Sequence, residues 1–575
     1  MSFNRRQFIG GGAGALAGLS LWGCQGESGR ETADPGSTRT IVFNNGTILP
    51  VDPLFSEFPA MAIRGNEIVA IGSLDVVMAA AGQDAEIMDL NGRTVLPGFI
   101  EPHMHFALMA GLGHLRDIGP FQIPDFDGVL DALSDIRADT EEGAWVTARQ
   151  YDPILLEPPR DLTINELDSV VPDRPAFILN ASGHIAYVNS LALELAGINR
   201  DTPDPAGAEF GRFDDGTPNG ILYGPNAHMP VIMLIEDISN RMDTGFVDAG
   251  REVGKQAAAL GITTLCDQAT GAVAGPPELE KYRQMFADDK MDARIRSYVF
   301  SSQPGWDQAG VRPGEGDALM RIAGWKIVTD GSNQGFTGRQ REPYYTRDTL
   351  GIYYVEPSDL QQMAAERGAQ GWQLSMHGNG DAAIDSILDA IEHADAEGVD
   401  VRALRCRIEH CSILHDEQIQ RMRSFGMGPS FLINHVHYWG HVMRDQVFGP
   451  EKVELLDRCK AVDEAGLNWT IHTDSPVSPL GSLHKLRVAV ARDLWKEPET
   501  ILAPQERVSV ESAIRAITIN AAWQCHSEDE IGSLEPGKLA DFVVLDQDPR
   551  SVEPTAISDI GVSETWMDGR QVFES

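Results

Sequence analysis

From Thr38 to Gly92 short apolar runs alternate with turn-forming residues: Ile41-Val42-Phe43, Asn44-Asn45-Gly46, Ala60-Met61-Ala62-Ile63, Arg64-Gly65-Asn66-Glu67 and Ile68-Val69-Ala70-Ile71. Apolar runs of this length, bounded by Asn-Gly and Gly-Asn signals, predict short strands joined by hairpins. The far end of the chain repeats the pattern, with Ala540-Asp541-Phe542-Val543-Val544-Leu545 and then Glu564 to Arg570 around Asp568-Gly569. Residues 38–94 and 530–575 are therefore expected to fold together as one small β-sandwich domain.

Between them, over residues 95–529, apolar strands alternate with helical stretches such as Ala382 to Ala396 and Asp416 to Ser424. That order predicts an α/β fold, a (β/α)8 TIM-like barrel. Strands are expected to end near His105, Asp267, Phe300, Thr329, His377, His410, Ile433 and Asp474. The interval between the first two is far longer than one crossover helix, which predicts an inserted subdomain at about 112–240. Loops after barrel strands build the active site, so an insertion there is expected to cover the pocket and help select the substrate.

The 575 residues, 42% hydrophobic and 23% charged, have the make-up of a globular protein with a large core. With 85 acidic against 46 basic residues the net charge is -39, which repels phosphates and argues against a nucleic-acid partner. The first 24 residues differ from the rest. Asn4-Arg5-Arg6-Gln7-Phe8-Ile9 precedes an apolar Gly/Ala-rich stretch, resembling a twin-arginine export signal, and Leu21-Trp22-Gly23-Cys24 resembles a lipobox. Lipidation of Cys24 would make residues 25–37 a flexible tether and place the protein in the periplasm, attached peripherally to a membrane. The remaining cysteines are odd in number and lack CxxC spacing, which argues against a disulfide framework. Oligomeric state is open, a homodimer being one option.

Four stretches place metal-ligand side chains at wide intervals: Pro102-His103-Met104-His105, Met376-His377-Gly378, Glu409-His410-Cys411 and His472-Thr473-Asp474. Alternate residues of a strand share a face, so His103 and His105 can address one ion. All four stretches fall at predicted C-terminal strand ends, where barrel enzymes do chemistry. Four histidines and Asp474 supply more ligands than a tetrahedral ion with an open position needs, so a second metal or a base is expected.

Together with Val95-Leu96-Pro97-Gly98-Phe99-Ile100, Lys326 followed by Asp330-Gly331-Ser332, and Gly532-Ser533-Leu534-Glu535-Pro536-Gly537, these stretches resemble the amidohydrolase superfamily. Within it they resemble the amidohydrolase-3 group, which includes N-substituted formamide deformylases. The resemblance implies two divalent ions, zinc by default, with His103 and His105 on one, His377 and His410 on the other, and Lys326 as a bridging N6-carboxylysine. It further implies that Asp474 touches the first ion and carries the proton, in hydrolysis of a small-molecule, amide-type, non-peptide carbon-nitrogen bond.

On the substrate side, His184 in Ser182-Gly183-His184 matches a family histidine that reaches toward the substrate. His435 and His437 repeat the alternate spacing after strand seven, and His472 shares a face with Asp474. All three are expected near the pocket. Gly220-Ile221-Leu222-Tyr223-Gly224 lacks a glutamate that many relatives carry there, which leaves the substrate open. The competing readings are a mononuclear deaminase or esterase-like hydrolase on the same fold, and a lipid-anchored binding protein without turnover.

Overall fold

A computed structural model describes residues 39–287 and 290–575. The stretches expected to be an export signal and a tether, with Cys24, lie outside these residues. Eight parallel strands form the central body: β1 (Phe99–Met104), β2 (Ile262–Thr270), β3 (Arg294–Phe300), β4 (Met320–Val328), β5 (Leu374–Gly378), β6 (Arg407–His410), β7 (Gly428–Phe431) and β8 (Thr470–Ile471). Each pairs in parallel with the next in sequence. β1, β2 and β6 are buried at every position, the condition of strands covered on both faces. Helices Asp381–Ala396 and Asp416–Phe425 stand where the apolar periodicity predicts them, the second stopped by Gly426 in the left-handed region.

Between β8 and β1 the ring closes without a strand ladder. The Asp474 amide donates to the His103 carbonyl at 3.2 Å, and the His105 amide to Ser475 at 2.8 Å. One turn earlier Glu101 takes over the backbone's part: Oε1 accepts from the Thr473 amide at 3.0 Å, and Oε2 accepts from Lys485 Nζ at 2.7 Å. Glu101 and Lys485 are both fully buried.

Strands from the two chain ends share one eight-stranded sheet, with Thr94–Pro97 lying between Phe542–Leu545 and Thr40–Ile48. Phe43 packs against Trp566 at 5.2 Å, although their strands are three places apart. Three strand spacings amount to about 14 Å on a flat sheet, so this one curls over its own face and makes the sandwich from a single sheet. Asn44-Asn45-Gly46 is not a hairpin turn. It lies inside Thr40–Ile48 as an irregularity in the pairing, with Asn45 at φ 56°. A Cβ at Gly46 would meet the Arg93 carbonyl at 2.5 Å, so the glycine answers a close backbone approach.

Between β1 and β2 the chain builds a third sheet of six strands, in the order Glu209–Arg212, Pro218–Tyr223, Ile185–Val188, Ala176–Asn180, Val146–Tyr151 and Arg116–Asp117. Its cores gather around Phe177, Phe210 and Leu222 on one side and Tyr151, Ile178 and Tyr187 on the other. The five cysteines outside the signal are free and buried.

Removing one partner of a buried ion pair strands the other charge. Lys485→Met is expected to lower stability by about 3–5 kcal/mol, and adding Glu101→Gln to recover part of the loss, both measured by denaturant unfolding.

Candidate metal centre

Strand alternation turns Glu101 and His103 inward from β1, and the end of β1 carries His105 to the barrel rim. His103 Nε2 lies 3.1 Å and His105 Nε2 3.0 Å from one oxygen, Oδ1 of Asp474. That oxygen makes no aligned hydrogen bond. Burial raises the Asp474 carboxyl, but the two imidazoles outweigh it and hold the group well below the usual carboxylate range. Asp474 is thus an anion in a largely buried site.

The opposite nitrogen of His103 fixes its tautomer. Nδ1 lies 2.7 Å from Glu409 Oε2, and a neutral ring donating there keeps its Nε2 lone pair. Burial raises the Glu409 carboxyl, yet Arg407, whose Nη2 donates to Oε2 at 3.0 Å, keeps it ionised together with His103. His103 Nε2, with Nδ1 engaged by Glu409, and His105 Nε2 thus converge on Asp474 Oδ1. Such a donor set fits a divalent cation held by His103, His105 and Asp474.

A second set of converging donors comprises His103, His410 and His472. His472 Nε2 lies 3.3 Å from His410 Nδ1, its ring stacks on His103 at 4.5 Å, and its Nδ1 lies 2.8 Å from Ser430 Oγ. His377 adjoins this set, its ring 4.4 Å from that of His410. Asp330 Oδ1 lies 2.8 Å from His377 Nδ1 and accepts from the Asn379 amide, while Oδ2 accepts from the amides of Gly380 and Arg339. Burial lowers the pKa of His377, His410 and His472 well below the ordinary histidine value, so all three are neutral and can offer lone pairs. Lys326 points into the same space, with Nζ 3.4 Å from His103 Nε2. Burial brings its pKa down to about 8.

His184 reaches the centre from the insertion, its ring 5.0 Å from His377. Burial holds it neutral, and its buried Nδ1 has no hydrogen-bond partner. His435 and His437 do not alternate across a strand, because His435–Trp439 is a wide helical turn that sends the two rings in different directions. His435 Nδ1 lies 3.3 Å from Ser412 Oγ, whereas His437 Nδ1 donates to the Asp493 carbonyl at 2.8 Å and packs against His484. A cavity of about 590 Å³ opens from His105 and His184, walled by Met109, Met229, Val253 and Phe300.

The supporting carboxylates Glu409 and Asp330 have no role in the sequence reading. Both stand inside the quoted stretches, Glu409 beside His410 and Asp330 opening Asp330-Gly331-Ser332. A carboxylate next to a ligand on a barrel strand is the signal that could have marked Glu409.

A family model described as the amidohydrolase family matches residues 86–573. The chain belongs to the amidohydrolase family. This membership makes the protein a hydrolase. Among curated relatives, the N-substituted formamide deformylase of Arthrobacter pascens is 28% identical over 545 residues, covering 93% of this chain and 98% of that one. Protein LONG AFTER FAR-RED 3 of Arabidopsis thaliana is 27% identical over 561 residues, 94% and 93% of the two chains. An uncharacterized metal-dependent hydrolase from Pyrococcus furiosus superposes with a TM-score of 0.66 at 22% identity, covering 89% of this amidohydrolase and all of that chain, a likeness of fold.

Carboxylates that orient metal-binding histidines typically contribute 10- to 100-fold in metal affinity, roughly the loss expected for Asp330→Asn in chelator competition.

Proposed function

We propose that this amidohydrolase hydrolyses a non-peptide, amide-type carbon-nitrogen bond in a small molecule. The observation that carries the reading is the ionised Asp474 between His103 and His105, at the edge of the larger cavity. The name of the Arthrobacter relative assigns that protein the deformylation of N-substituted formamides, which favours an amide over an ester.

His103, His105 and Asp474 would hold one divalent ion, with zinc the default for such donors. The two donor sets share His103, whose Nε2 serves one ion, so a second ion would draw on His377, His410 and a carbamylated Lys326. When bound, the ions supply Lewis acidity, lowering the pKa of water toward about 7 and polarising a carbonyl. Asp474, anionic and close to the reacting centre, accepts the attacking water's proton and returns it to the leaving nitrogen. His184, neutral, donates a hydrogen bond to the substrate. The apolar walls around Met109, Val253 and Phe300 exclude water from the group they enclose.

From its ammonium form Lys326 first loses one proton to give the amine. Carbamylation then joins that nitrogen to the carbon of carbon dioxide with loss of a second, turning a cation into an anion that no longer repels a metal. It requires the neutral amine, which burial makes accessible near pH 8. An unmodified Lys326 is the observation that would favour the mononuclear form.

Loss of a general acid-base group costs about 10²- to 10⁴-fold, so Asp474→Asn is expected to reduce kcat on an N-substituted amide by that factor. Full turnover with unchanged metal content overturns the assignment. For metal-stripped protein reloaded with zinc at fixed dissolved carbon dioxide, recovery of activity should accelerate roughly ten-fold per pH unit up to about pH 8, as Lys326 loses its proton. A pH-independent recovery removes the carbamate from the scheme.

A further inference from the structure

A second cavity, of about 210 Å³, lies between the inserted sheet and the barrel loops that follow β4 and β7. Its floor contains Asp152, Asn180, Tyr187 and Gln334, each at least nine-tenths buried. Its mouth carries Arg160, Asp161 and Arg347. The mouth is neutralised locally: Arg347 lies 3.9 Å from Asp161 and over the Phe336 ring at 4.0 Å, while Arg160 pairs with Glu166 and lies over Phe126.

The floor is not neutralised. Asp152 is 2% exposed, and its carboxylate accepts from Trp439 Nε1 at 2.8 Å and from the Ile154 amide at 3.3 Å. Neither donor is charged, and among the described residues no Lys, Arg or His forms an ion pair with it. Burial raises its pKa to about 6, which still leaves it mainly ionised at neutral pH. A carboxylate offers about four lone-pair sites, of which two are used here. Retaining a buried anion without a counter-charge is costly, and a cation entering the cavity would offset that cost. Tyr187, Tyr223 and Phe336 on the walls offer aromatic faces, which attract cations as well as apolar carbon.

Asn180 lines both cavities. Its Oδ1 accepts from the Ser182 amide at 2.9 Å and the Ser182 hydroxyl at 2.7 Å, and Ser182 Oγ accepts from the His184 amide at 3.2 Å. The partition between the cavities is thus the segment that delivers His184 to the metal centre.

We propose that the second cavity binds a small primary ammonium ion, with its N–H groups on Asp152 and its carbon chain against Tyr187 and Phe336, apart from the metal centre. Its use in turnover rests on the reaction proposed above, because amide hydrolysis releases an amine. The binding itself does not depend on that reaction.

The test is calorimetric titration of n-butylammonium at about pH 7.5, where the amine is protonated, into zinc-loaded wild-type protein and Asp152→Asn. Asn keeps an acceptor for Trp439, removes the charge and leaves the longer bond from the Ile154 amide without its acceptor. Saturable binding to wild type, weakened about ten-fold or more in the variant, is the expected result. Neutral n-butanol, titrated into the wild type, should not bind, and this comparison decides alone if the variant fails to fold. No binding to wild type, equal binding by Asp152→Asn, which would place the amine elsewhere including on the metal, or equal binding of n-butanol each overturns the proposal. Loss of the proposed amide hydrolysis would leave the titration result standing.

Discussion

Where β8 meets β1 the strand ladder gives way to the buried Glu101–Lys485 pair, and every group at the barrel rim is placed relative to that junction. β8 is too short to register against β1 by backbone alone, so a carboxylate on β1 takes the Thr473 amide and is neutralised by a lysine from the following helix. The next residue, Asp474, adopts φ 57°, a conformation that costs an ordinary residue about 1–3 kcal/mol and that Asp tolerates better than most. Anchoring on one side by Glu101 and on the other by the His103 carbonyl holds it there. The same backbone atoms thus close the barrel and bring Asp474 within reach of both β1 histidines.

A second constraint is electrostatic. The centre collects imidazoles, one carboxylate and the Lys326 amine in a largely buried space. Burial strips protons from His377, His410 and His472, and the carboxylates behind the rings decide which nitrogen faces inward. Those carboxylates are steadied in different ways, Glu409 by a guanidinium and Asp330 by three backbone amides. The two differ in charge as a result: Arg407 holds the Glu409 carboxyl well below the usual range, whereas burial pushes the Asp330 carboxyl up to about 7 in spite of its three amides.

Much of this was legible in the sequence. The eight strand ends, the helices at Asp381–Ala396 and Asp416–Phe425, and the convergence of His103, His105, His377, His410 and Asp474 follow from periodicity and from the rule that alternate residues share a face. Readings failed where local chemistry admits two outcomes. Asn44-Asn45-Gly46 has hairpin wording, but the close approach of Arg93 makes it an irregularity within a strand. His435 and His437 have strand spacing, but the segment coils, and their rings part. The part played by His472 was invisible for another reason, since its stacking on His103 and approach to His410 depend on inter-strand distances that spacing along one strand does not encode. Glu101 and Lys485 are widely separated along the chain, and nothing local pairs them.

The sheet that joins strands from before and after the barrel supports the approach to the centre. Thr94–Pro97, which leads into His103, is flanked by Phe542–Leu545, and the Gly98 amide donates to the Asp541 carbonyl at 2.9 Å. The strand that fixes the approach of the first ligands to the barrel is thus paired by residues that lie beyond the last ligand, Asp474, in the sequence. All the ligands can be present in a chain and still lack that support. Alignment of the centre therefore depends on residues that touch no ligand, and loss of Phe542–Leu545 would reach His103 across the length of the barrel.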